Sequence, residues 1–132
     1  MCDYLNLAIY DPDRFVAVID SLPDDKNIYE LNRRRYDFDE GTIVHMVICG
    51  LLEPTTEIFY NDETSYILIS KMVEKGASIS IENQDSLIPY ELFKLYCNNP
   101  HEYKTYRYLL SKTTELILED NFFRNTYKDY IG

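Results

Sequence analysis

Apolar residues recur along this chain mostly at helical spacing. In residues 3–22 two short apolar faces follow one another, first Tyr4, Leu5, Leu7, Ala8 and Ile9, then Phe15, Val16, Val18, Ile19 and Leu22. Asp11-Pro12-Asp13 between them predicts a break and a fresh start: an aspartate N-cap, proline at the first helical position and acid in the first turn. Pro23-Asp24-Asp25 ends the second segment, so the pair reads as an antiparallel helix hairpin. The clearest pattern lies at 68–90. Leu68, Ile69, Met72 and Val73 share one helical face, and Lys75-Gly76 marks its stop, because glycine accepts the left-handed conformation just past a helix end. Ser78-Ile79-Ser80-Ile81 then alternates as an extended segment, Asn83 and Asp85 favour a turn, and Pro89 starts a new helix over 90–96.

The segments between are less regular. Residues 27–39 form a polar connection carrying Arg33-Arg34-Arg35. Cys49-Gly50 is expected to close the helix that begins near Thr42, and an outer helix is expected over 67–73. Between them stands a long insertion, 51–64, with Ile58-Phe59-Tyr60 set among acidic residues. Towards the C-terminus Asn98-Asn99-Pro100-His101 makes a turn, Tyr103, Tyr106, Leu109 and Leu110 mark a further helix, and Leu116, Ile117, Phe122 and Phe123 continue the helical pattern.

The run Glu74-Lys75-Gly76-Ala77-Ser78-Ile79, through Asn83, Asp85 and Pro89, resembles the junction between two ankyrin repeats. Thr42, Val44 and His45 fall on the T, L and H of the T-P-L-H-x-A signature, with Ile43 and Val47 in place of its proline and alanine. The frame recurs with Pro89 matching and Ile88 replacing the threonine. The resemblance implies an all-α, ankyrin-type helical repeat solenoid, one domain over 1–132. Its repeats would span about 3–38, 39–83 and 84–112, with a C-terminal capping helix over 113–132. From Asp39 to Asp85 is 46 residues, against a family period of about 33, and the 51–64 insertion holds the excess. It also implies that His45 is structural, bonding backbone in the neighbouring turn, and that Thr42 caps its helix through the hydroxyl. Members of this family are protein-binding scaffolds without chemistry of their own.

Charge narrows the partners. The net charge is −10, and binding to nucleic acid draws its affinity from basic residues, so nucleic acid is not an expected partner. An anionic membrane surface is disfavoured likewise, and no apolar run approaches the ~20 residues that cross a bilayer. The acidity reads either as solubility or as complementarity to another protein with a basic surface. Asp3, Asn6, Asp11 and Asp13 interrupt any secretory segment, and three cysteines at wide spacing, Cys2, Cys49 and Cys97, suit free thiols. The expected setting is therefore intracellular, cytoplasm or nucleus, as a monomer or weak dimer. Thirteen tyrosines, no tryptophan and many Ile and Asn fit an AT-rich coding bias, as in viruses and intracellular bacteria.

Candidate chemistry is sparse. Four glycines never take phosphate-loop spacing, there are only two histidines, His45 and His101, and His45 is read as structural, so no metal or cofactor is expected. Cys49 lies one helical turn after His45, which admits a Cys-His dyad, but both sit on an inner helix and no catalytic residue is assigned. Partner-binding candidates are the tip residues Arg33, Arg34, Arg35, Tyr36 and Asp37, the insertion residues Ile58, Phe59 and Tyr60, and the finger residues Ser78, Ser80 and Glu82. For the arginines the alternative is a solvated loop countering Asp37, Asp39 and Glu40. For the insertion it is aromatics folded back on the core. The expected function is a non-enzymatic interaction module, by analogy a pathogen-encoded inhibitor or adaptor acting on a host signalling protein. The alternative is a small regulatory or assembly subunit that oligomerises through exposed aromatics.

Overall fold

The structure is a computed structural model that describes residues 4–21, 29–35 and 40–131, and within 119–131 the helical backbone alone. Tyr36 and Asp37 of the arginine tip, and the Pro23-Asp24-Asp25 stop, lie outside the described residues. Among the described residues the helices with both ends placed are, in order, α1 (Tyr4–Tyr10), α2 (Pro12–Ser21), α3 (Ile43–Leu52), α4 (Asp62–Glu74), α5 (Pro89–Tyr96) and α6 (Lys104–Ile131), with a 3-10 turn at Pro100–Glu102 before α6. Residues 29–31 are also helical. Among the described residues there is no strand, only an isolated antiparallel bridge between Arg35 and Gly41. The all-α expectation holds.

Local chemistry explains most helix ends. The Asp11 carboxylate accepts the Arg14 amide at 3.3 Å, so α2 starts where an aspartate cap followed by proline predicts. The Asn61 side chain accepts the Thr64 amide at 2.8 Å and starts α4. At the other end Gly76 takes φ 110°, the Gly76 amide reaches the Val73 carbonyl at 3.1 Å, and the Ala77 amide reaches the Met72 carbonyl at 2.9 Å. Those two bonds are the Schellman pattern, and Ala77 and Met72 are both buried beneath it. The outer helix begins five residues earlier than its apolar pattern predicted (67 − 62 = 5), since Asp62, Glu63 and Thr64 make a polar first turn.

The helices pack as three successive pairs. α1 lies on α2, α3 on α4 and α5 on α6. Between pairs, α2 packs on α4 and α4 on α6 in one row, while α3 packs on α5 in another. Helix α3 is the centre: Ile43 through Ile48 are all buried, and only a rod enclosed on several sides can be apolar around its girth. Phe15, Ile19, Leu31, Leu68, Ile69, Met72, Phe93 and Leu109 close around it. Each such side chain contributes about 1.5–3 kcal/mol of burial before the entropy of ordering the chain is subtracted.

One boundary differs from expectation: Gly50 does not close α3, which runs on to Leu52. The helical pattern expected to continue past residue 113 does so, and α6 is one helix of 28 residues with no glycine or proline to interrupt it. Its buried stripe is Thr105, Tyr106, Leu109 and Thr113, but Leu116, Ile117 and Leu118 are 43%, 55% and 62% exposed. Leu116 and Ile117 stand beside Ile79, Ser80 and Ile88, and Phe122 and Phe123 lie beyond the described side chains.

Candidate interaction surface

Two non-helical segments lead into α3 and α5, the first with 36–39 outside the described residues, and the residues just before the two helices are arranged alike. In the first, the Arg35 amide bonds the Gly41 carbonyl at 2.8 Å. In the second, the Asn83 amide bonds the Leu87 carbonyl at 3.0 Å, while the Asn83 side chain accepts the amides of Asp85 and Leu87. Both turns use a left-handed residue other than glycine, Glu40 at φ 59° and Ser86 at φ 62°, 46 residues apart (86 − 40). Two residues on, the Thr42 amide is accepted by the His45 side chain and the Ile88 amide by the Glu91 side chain. The third residue of each helix thus covers the amide that precedes it.

His45 also ties the pairs together. Its ring is 2% exposed, and Nδ1 stands 3.0 Å from the Thr42 amide and 3.1 Å from the Thr42 hydroxyl. A backbone amide can only donate, so Nδ1 accepts and Nε2 carries the proton, which it donates to the Leu87 carbonyl at 3.0 Å. Burial lowers the His45 pKa against the Leu87 bond, and Arg34 adds to the lowering. The Thr42 hydroxyl meets the imidazole, and the ring caps the Thr42 amide in a capping-box arrangement. With both nitrogens engaged, His45 offers no base to Cys49, which is exposed. Asn32 makes a second tie. Its amide bonds the Gly76 carbonyl at 3.0 Å, and its oxygen accepts from the Ser78 amide.

The candidate residues separate into two places. Arg34, Ser80 and Glu82 line one open groove of about 480 Å³ between the fingertips, together with Glu40, Ile81 and Asn83. Arg34 bonds the Glu40 carbonyl at 3.0 Å and the Glu40 carboxylate at 3.2 Å, and Arg33 is exposed. Arg35 instead turns inwards: its side chain is 12% exposed and pairs with Glu30 at 3.4 Å. Ser78 spends its hydroxyl within the finger, accepting the Ser80 amide at 3.1 Å. The groove sits beside the start of α3, whereas the insertion follows its end, about 15 Å away for a helix of 10 residues.

In the insertion Tyr60 is no partner anchor. It is 8% exposed, donates to the Ala8 carbonyl at 2.7 Å and takes the Gly50 carbonyl on its amide at 3.0 Å. Desolvation pushes its phenol up to about 12. Gly50 explains the fit, since a Cβ there would stand 2.5 Å from the Tyr60 ring and 2.9 Å from Ile58. Ile58 is half-buried, and only Phe59, 65% exposed, points outwards. What sequence reading missed is Tyr10, 66% exposed, whose hydroxyl lies 3.5 Å from Glu57. The bland apolar face of α1 carried no signal of that meeting.

No helix among the described residues is long and apolar enough to cross a membrane. Comparison with known proteins adds no relative: no family model matches the chain, and neither a curated protein nor a solved structure matches it. The class the coordinates define is a helical protein of successively packed pairs, and the particular reading rests on its residues.

Proposed function

We propose that this chain is an ankyrin-type array of about three helix pairs that acts as a non-enzymatic protein-binding module. The pairwise rows of helices, the repeated finger geometry and the His45 tie support the array. The observation that carries the binding role is the open groove that Arg34 lines together with Ser80 and Glu82. Loops on a rigid scaffold are where such arrays place their contacts. Affinity capture from the native cell's lysate tests this, comparing the natural chain with Arg34→Ala/Glu82→Ala, which keeps the net charge. The expected result is loss of a specific partner by a variant whose helicity is intact. An identical catch would remove the groove from the binding surface.

A second reading is an oligomerising subunit, favoured by the exposed Leu116, Ile117 and Leu118 on α6. Light scattering separates the two, since a tight dimer dispersed by Ile117→Glu supports self-association and a monomer refutes it.

A further inference from the structure

We propose that the edge where the insertion meets the end of α1 is a second docking site, one that takes a basic, arginine-bearing protein segment. This goes beyond the fingertip groove, from which α3 separates it, and does not depend on it. Two aromatics stand out from this edge, Tyr10 and Phe59, 66% and 65% exposed. The hydrogen bond between Tyr10 and Glu57 at 3.5 Å, and that between Tyr60 and Ala8 at 2.7 Å, bring segments 8–11 and 57–60 side by side.

The backbone behind Phe59 is held. Its neighbour Tyr60 is bonded to Gly50 and Ala8, and the Thr55 amide and hydroxyl close a turn on Ile58 at 2.9 Å. An exposed aromatic on a fixed backbone binds without first losing much freedom. The neighbouring sequence is mainly acidic: residues 4–14 and 53–61 contain Asp11, Asp13, Glu53 and Glu57 against one basic residue, Arg14. A guanidinium suits this combination better than an ammonium, because it stacks on an aromatic face and pairs with a carboxylate through its planar fork. The −10 charge of the whole chain speeds the approach of such a segment.

The test titrates the purified full chain into a fluorescent peptide bearing four arginines among glycines, read by anisotropy, with the lysine counterpart alongside. The arginine peptide is expected to bind saturably and more tightly than the lysine one. Phe59→Ala and Tyr10→Ala, both at exposed positions, should each weaken it about threefold to fivefold. Arg34→Ala/Glu82→Ala should leave it unchanged. Equal affinity across the aromatic variants would mean general acidity alone and would overturn the site, as would the absence of saturable binding. Loss through the fingertip variant only would place the basic segment in the other groove, and so the two surfaces are judged separately.

Discussion

Removing the His45 ring tests the joint between α3 and the segment that leads into α5. His45→Ala leaves the buried Thr42 amide without its partner and removes one of two bonds on the Leu87 carbonyl, which keeps the Asn83 amide. A buried group left unsatisfied costs about 1–3 kcal/mol, and the Thr42 amide loses its partner outright, so about 1–3 kcal/mol is expected. Against a total stability of about 5–15 kcal/mol that is a large fraction. Urea unfolding at neutral pH measures it. The pH dependence gives an independent check. The folded-state pKa lies below the ordinary 6.5, so the neutral ring's contribution is fully present above 6.5 and is lost as pH falls through the folded value. The natural chain should therefore lose stability as pH falls below about 6.5 that His45→Gln does not lose. A cost below about 0.5 kcal/mol for His45→Ala, or the same acid slope in both chains, would refute the reasoning.

Two further substitutions probe contacts that join distant segments. Gly50→Ala gains about 1 kcal/mol of helix propensity but drives a methyl group into the Tyr60 ring. Overpacking costs about 1–3 kcal/mol, so a net loss is expected by urea unfolding, and a more stable variant would show the ring can yield. Asp62 accepts the amides of Lys104 and Thr105 at 2.8 and 3.0 Å and the Thr105 hydroxyl at 2.8 Å, so the first turn of α4 caps the start of α6. Burial works against its charge, yet these bonds and Arg107 hold its carboxyl below the ordinary 3.8. Asp62→Ala should cost about 1–2 kcal/mol at neutral pH, the usual worth of a cap. Because a depressed carboxyl stabilises above its unfolded value and ceases to as pH falls through its folded one, the variant's thermal melts should also show a shallower acid limb. An unchanged limb would mean the carboxylate is screened by solvent.

What could be read along the chain was whatever neighbours settle among themselves. The Asp11 cap, the Gly76 stop, the Pro89 start and the Thr42–His45 frame each involve backbone groups within a few residues, and the coordinates place them as the residues dictate. Packing between remote segments was decided only in three dimensions. Tyr60 looked like a surface anchor because its acidic neighbours are solvated, yet a side chain missing at Gly50 opened a seat for it in the core. Asp62 finds its amides more than 40 residues away, and Tyr10 meets Glu57 across 47. A periodic pattern states which face of a helix avoids water. Which surface covers that face, and which aromatics are left over for a partner, depends on how complementary shapes from far along the chain come to fit.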